Sequence, residues 1–227
     1  MTAGETTIRA YLERLGARES VPGGGGASAL AGAYGVSLGR MVCAFTIGKK
    51  KYQEVEPRIR EIDVRLQKLQ EAFLTLSDED EKAFLPLSEA YGLPETTPEE
   101  KDQKEITLET CLSTASMVPI KGMERACEAL DYLSELEANG AKLMQSDVGV
   151  AASYLSTALE GAVMNVYINT KMMQNRNRMI ELNEYARKLL LDGRAKSRLI
   201  YEAVEDKVKP VYDPDTDRIA RNKVDFS

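Results

Sequence analysis

Val55, Ile59, Ile62, Leu66, Leu69, Phe73 and Leu76 follow one another at steps of four and three without a break. Apolar residues at that spacing share one face of an α-helix, so the segment reads as one continuous helix with a single buried stripe. Alternating strand patterns are scarce elsewhere, prolines are few, and Leu, Ala, Glu, Lys and Met dominate the long segments. The pattern predicts an all-α chain of about seven helices, at about 5–16, 27–47, 56–91, 98–116, 120–139, 146–174 and 178–207. Short connections make neighbours antiparallel and the whole a helical bundle. Residues 1–208 form this domain, and from Lys209 the periodicity stops, leaving 209–227 as a polar tail. Asp213, Asp215 and Asp217 open like a calcium loop, but Arg218 stands where its glycine belongs and Val224 where its glutamate belongs.

With 43% hydrophobic residues, 227 residues suffice for one sizeable core. The net charge of -6 is spread over interspersed acids and bases, which argues against a nucleic-acid-binding face. Cys43, Cys111 and Cys127 show neither close pairing nor metal-ligand spacing, and no signal-peptide core follows Met1, so a cytoplasmic protein with reduced thiols is expected. No apolar run approaches the roughly 18 residues that a membrane span requires, so no membrane partner is expected. The absence of histidine is the sharpest exclusion. It removes Ser-His-Asp and Cys-His triads and most zinc sites, and leaves proton chemistry to Asp, Glu, Lys, Tyr, Cys or the substrate itself.

Three features stand out against that background. "SVPGGGGASALAGAYG", from Ser20 to Gly35, runs four glycines, Gly23, Gly24, Gly25 and Gly26, into a helix. No Gly-Lys-Ser/Thr follows and no strand precedes it, so neither a Walker loop nor a dinucleotide fold is at hand. Its backbone amides at a helix start can hold an anion or let a flat ligand approach, and a flexible turn is the simpler alternative. Ser28, Gly32, Gly35, Gly39 and Cys43 continue as a row of small residues open to a helix backbone or a flat ligand, with the Thr157, Gly161, Asn165 and Asn169 row of a later helix as its natural partner.

The second feature is charge in unexpected places. Lys49, Lys50 and Lys51 end the glycine-bearing helix, where cations suit the helix dipole, although three in succession point around the helix and aim at least one at the same groove. Lys121, just after "VP" at an expected helix start, is electrostatically misplaced. The third feature is Asp80, which takes the next step of the apolar stripe after Leu76, ahead of Ala83 and Leu87. It is expected to point inward, either bonded to a nearby amide or as a desolvated carboxylate usable as a base or counter-ion. "TTPEE" at Thr96 to Glu100 holds a capping box, with Thr97 at the N-cap, Pro98 at the first helical position and Glu100 three residues on.

In order along the chain, "PGGGGASALAGAYG", "TIGKKKY", "DEDEKAF", "AYGLPETTPEEK", "VPIK", "SDVGVAA" and "GAVMNVYINTK" resemble the C-terminal family of the formiminotransferase-cyclodeaminases. That resemblance implies an all-helical homodimer that binds a tetrahydrofolate derivative in a cleft, with no cofactor beyond that substrate and no metal. Carried over by position, it implies a platform at Gly23 to Gly26 with Ser28, basic contacts at Lys49 and Lys50, an acidic pair at Asp78 and Asp80, and a wall of Lys121, Ser146, Asp147, Asn165 and Asn169. The sequence departs from the family pattern at Glu95, Lys104, Glu109 and Ala141, where lysine, arginine, glutamine and asparagine are usual.

The activity implied is interconversion of 5,10-methenyltetrahydrofolate and 10-formyltetrahydrofolate. Asp80 would pair with the amidinium cation and deprotonate water, Lys50 or Lys121 would assist collapse of the intermediate, and Asn165 and Asn169 would orient the substrate. The alternatives are ammonia-releasing cyclisation of 5-formiminotetrahydrofolate and a catalytically silent folate-binding dimer.

Overall fold

The computed structural model describes residues 2–211, and within them every regular element is helical. The tail beyond residue 211, including the reading of Asp213, Asp215 and Asp217, lies outside the described residues. Six α-helices run in order: α1 (Ile8–Leu15), α2 (Gly24–Thr46), α3 (Glu56–Tyr91), α4 (Pro98–Asn139), α5 (Gln145–Lys171) and α6 (Arg176–Val208). Single 3₁₀ turns at Lys50–Tyr52 and Lys142–Met144 lead into α3 and α5.

The long stripe of α3 is buried as its spacing requires: Ile59, Ile62, Leu66, Leu69, Phe73 and Leu76 all lie in the core, and Leu87 extends it beyond Asp80. Thr97 caps α4 with the full reciprocal box, its hydroxyl accepting from the Glu100 amide while Glu100 accepts from the Thr97 amide. One expected boundary is absent. The helices read at 98–116 and 120–139 are one, because α4 runs unbroken through Pro119, making six α-helices where about seven were expected. Proline removes one backbone hydrogen bond and crowds the carbonyl four residues back, a cost of about 3 kcal/mol. Here it is offset by burial on both sides, since Leu112, Val118, Pro119, Ile120 and Met123 are all enclosed.

α2 lies between α3 and α5 and runs antiparallel to both, with α4 closing the core behind them and α6 packed on α4 and α5. A side chain at Gly32 would overlap the Phe73 ring, one at Gly35 would come within 2.9 Å of Leu155, and one at Gly39 within 3.0 Å of Leu66 and Leu133. The small-residue row is therefore filled by large apolar side chains, and apart from its open end at Ser28 it is no groove for a ligand. α2 also revises the membrane reading. Its mean hydropathy of 1.2 over 18 residues meets the length and composition of a span, contrary to the sequence expectation, yet half of that window is buried inside the bundle. A core helix covered on two sides has the same composition for the same physical reason.

Candidate functional site

The glycine run supplies the N-terminus of α2, but Gly23 at the cap position has no side chain with which to bond the first-turn amides. Asp80 supplies the missing acceptor from α3: its Oδ2 accepts from the Gly26 amide at 2.9 Å. A carboxylate at a helix N-terminus is favoured by the dipole as well as by the bond. No hydrogen bond reaches the other oxygen, Oδ1, from the described residues. Burial pushes the Asp80 carboxyl above the ordinary aspartate range, the Gly26 amide opposes that rise, and the charge of Glu81 adds to it. The result is a carboxylate fixed by one oxygen, free at the other, and more basic than usual.

Each glycine of the first turn makes room for a different neighbour. A methyl group on Gly24 would lie 3.5 Å from Asn165 Nδ2, on Gly25 2.5 Å from the Asp80 carboxyl carbon, and on Gly26 3.1 Å from the Tyr11 hydroxyl and 3.2 Å from that of Ser77. Gly23 has open space around it. Ser28 bonds back to the Gly24 carbonyl at 2.6 Å and sits against Gly161 of α5, where any side chain would collide with it. Asn165 is oriented by its side-chain Nδ2, which donates a hydrogen bond to the Gly161 carbonyl at 2.9 Å. Beside Asp80 a cavity of about 10 Å³, bounded by Gly25, Ser28, Pro119 and Gly122, has room for one water molecule.

The remaining site residues sort by which end of α2 they occupy. Asp78 accepts from the Ala3 amide at 2.7 Å and so ties the N-terminal segment to the site. Lys121 is exposed at the same end and pairs with Glu79 at 3.5 Å. Lys121 stands in the middle of α4, not at the helix start expected from the sequence, so no dipole disfavours it. Asn169 follows Asn165 one turn on along α5. By contrast Lys49 and Lys50 lie beyond Thr46, the far end of α2, which is itself about 30 Å from Gly25 at 1.5 Å per residue. Ser146 and Asp147, in the first turn of α5, share that far end because α5 runs antiparallel to α2. Within one chain no cation of the 49–51 run faces the glycine platform.

Sequence reasoning missed Tyr11, Ser77 and the Arg14–Glu81 pair (3.2 Å), which surround Asp80. Ser77 carried a signal, since Phe73, Ser77 and Asp80 also follow steps of four and three; Tyr11 carried none. Cys43 and Cys127 leave the list of nucleophiles: burial pushes the thiol of Cys43 up to about 12 and that of Cys127 up to about 11. The departures at Glu95 and Lys104 compensate each other in a 3.1 Å ion pair. Glu109 caps the α5–α6 connection by accepting from the amides of Gln174 and Asn175, and the Ala141 amide donates to buried Thr46.

The helix whose first turn is capped in trans by the half-buried Asp80 lies in an all-helical bundle that has known relatives. The family model described as Formiminotransferase-cyclodeaminase matches residues 7–188, and the chain belongs to that family. It is 37% identical over 207 residues to a methenyltetrahydrofolate cyclohydrolase of Methylorubrum extorquens, covering 91% of this chain and 99% of that protein. It is 31% identical over 201 residues to the formimidoyltransferase-cyclodeaminase of Mus musculus, of whose length it spans 37%. The fold matches the solved structure of a formiminotetrahydrofolate cyclodeaminase from Thermotoga maritima with a TM-score of 0.77 at 24% identity, covering 90% of this chain and 96% of the other.

Proposed function

We infer that this chain is a methenyltetrahydrofolate cyclohydrolase, interconverting 5,10-methenyltetrahydrofolate and 10-formyltetrahydrofolate. The observation that carries the reading is the nearly end-to-end match, at 37% identity, to a protein of that activity. The chemistry available at Asp80 suits it. The amidinium carbon of the substrate is already electrophilic, so a base and a proton donor suffice without imidazole. Water in the small cavity attacks that carbon as Asp80 Oδ1 takes its proton. The carbon–N5 bond of the tetrahedral intermediate then breaks, N5 is protonated, and the formyl group stays on N10, with one proton released overall. Before attack the same carboxylate faces the delocalised cation, and Asn165 is positioned to orient the ring or the developing oxygen. Lys121, already on this side of the molecule, serves the departing nitrogen.

The working unit is a homodimer. The outer faces of α2 and α5 are apolar side by side: Tyr34 and Phe45 on one and Val150, Tyr154, Met164 and Ile168 on the other are exposed. Tyr34 and Tyr154 pack with ring centroids 5.6 Å apart near the middle of both helices. A two-fold axis lying in this face and crossing α2 at its midpoint sets α2 against its copy in the opposite sense. The partner's Lys49 and Lys50 then lie over Gly24 and Asp80, and the partner's Ser146 and Asp147 come beside Asn165, reuniting residues that one chain holds about 30 Å apart.

Purified protein should remove methenyltetrahydrofolate absorbance well above the buffer rate. Ammonia release from 5-formiminotetrahydrofolate without methenyl hydrolysis would replace this reading with the cyclodeaminase, and folate binding with neither activity would leave a silent dimer. Equilibrium sedimentation should give twice the chain mass; a monomer would remove the composite cleft.

A further inference from the structure

α2 carries a second row of side chains, on the face turned away from the bundle. Ala27, Ala31, Tyr34, Leu38, Met41 and Phe45 follow one another at steps of four and three, and all six keep part of their surface in solvent. The row carries no charge. Arg40, the one charged residue of α2, is turned to α3, where it bonds Asp63 at 3.2 Å and Gln70 at 3.0 Å. The two halves of the row differ in shape. Its C-terminal half is bulky, and Phe45 stands out at 48% exposure. Its N-terminal half is small, and there a cavity of about 440 Å³ opens between α2 and α1. Ala27, Ala31 and Tyr34 of α2, Ile8 and Leu12 of α1 and Leu74 of α3 line it, and no charged residue does so among those described. Ile8 and Leu12 are themselves largely in solvent. Apolar surface of this extent on one face marks a place that another molecule covers.

A second copy of the chain has the shape to do so. The steps of four and three read the same in both directions along the row, so a two-fold axis crossing α2 at the level of Val36 lays the row on its copy in register. Ala27 then faces the partner's Phe45, Ala31 the partner's Met41, and Tyr34 the partner's Leu38. Small meets large at both ends. α2 has 23 residues and so is about 35 Å long, and with α5 beside it the face is about 20 Å across, about 700 Å² per copy against the about 800 Å² that a stable interface covers. We propose that the cavity between α1 and α2 is the seat of the partner's Phe45, the anchor of the homodimer, and that each dimer fills two such seats. α1 thereby has a task that its eight residues could not perform alone. Held to the bundle by buried Tyr11 and by the Arg14–Glu81 pair, it keeps Ile8 and Leu12 at the edge of the seat, where the incoming ring covers them. A folate suits the cavity less well, because its carboxylates would meet no cation there.

The seat rests on the homodimer of the proposed function, and its test needs no substrate. Full-length protein carrying Ala27→Cys and Phe45→Cys together, mildly oxidised, should run as a covalent dimer on a non-reducing gel, and neither single variant should. Within one chain the two positions are about 27 Å apart along α2, far beyond the about 7 Å between Cα atoms that a disulfide spans. In equilibrium sedimentation Phe45→Ala should raise the dimer dissociation constant by about 100-fold, as loss of an anchor does. Phe45 is half exposed in the single chain, so this variant keeps its fold. Its monomer should bind the apolar dye 8-anilinonaphthalene-1-sulfonate at the emptied seat, which the wild-type dimer closes. Equal dye binding by the two would mean another occupant for the cavity and would overturn the proposal. A wild-type dimer that Phe45→Ala leaves unchanged and the cysteine pair does not cross-link would overturn it too, with the homodimer left standing. A wild-type monomer would overturn both.

Discussion

The first turn of α2 and its middle are both built of glycine, and for the same steric reason, yet they do different work. At Gly32, Gly35 and Gly39 the missing side chains admit Phe73, Leu155, Leu66 and Leu133, and the helices lock together through apolar contact. At Gly24, Gly25 and Gly26 they admit Asn165, Asp80, Tyr11 and Ser77, all of them polar. Close approach is the shared device, and the chemistry comes from what approaches. In the middle of the helix the amides are spent on intrahelical bonds, so only apolar side chains gain by moving in. In the first turn the amides are free, so an acceptor such as Asp80 gains a bond and a dipole as well.

Asp80→Asn separates the two roles most sharply. Asparagine can still accept from the Gly26 amide but cannot serve as a base, so turnover should fall by about 100-fold or more in the methenyl absorbance assay. The same variant should be more stable than the wild type at neutral pH. Because the folded carboxyl binds its proton more tightly than the unfolded one, ionising it costs folding free energy as pH rises from the ordinary aspartate value through the raised one. The gain in melting temperature should therefore be present above that window and vanish below it; a gain equal at all pH values would mean that Asp80 carries no such penalty.

One substitution placed at the two glycine sites tests the contrast directly. Gly32→Ala drives a methyl into the Phe73 ring and should cost about 1–3 kcal/mol in denaturant unfolding, with the activity of the folded fraction preserved. Gly25→Ala displaces only the Asp80 carboxylate and should lower kcat by more than that free energy predicts. Equal losses of stability at both positions, with activity following stability, would erase the distinction.

The two ends of α2 give the next test. If a second copy completes the cleft, a mixture of Asp80→Asn and Lys50→Ala chains should regain about a quarter of wild-type activity, since half the dimers are mixed and each holds one intact site. Activity no greater than the sum of the two separate variants would show that Lys50 does not cross to Asp80. The smallest effect is expected at Lys104 and Glu95, whose largely solvent-exposed glutamate makes an ion pair worth less than about 1 kcal/mol; a double-mutant cycle by thermal unfolding should find it near zero.

Much of this was legible from residue order. The α3 stripe, the Thr97 capping box and the inward aspartate all follow from helical spacing, and the α2–α5 pairing from matching rows of small residues. What spacing misjudged has a common cause. Pro119 reads locally as a break, but a helix boundary is settled by what packs on both sides of it, and α3, α5 and α6 all press on α4 there. Lys121 then lost its apparent helix start, and Lys49 and Lys50 turned out to belong to the opposite end of the molecule from Asp80.

By itself, the sequence determined that this protein is helical, which faces are buried, that its proton chemistry proceeds without imidazole, and that an aspartate interrupts an apolar stripe. Only the tertiary structure decided what that aspartate meets. Gly26 and Asp80 are 54 residues apart, and so are joined only when α2 and α3 pack antiparallel in one register. Periodicity records that a residue is turned inward, because that depends on its own helix. Which group waits there depends on another helix, and that information exists only once the two are packed.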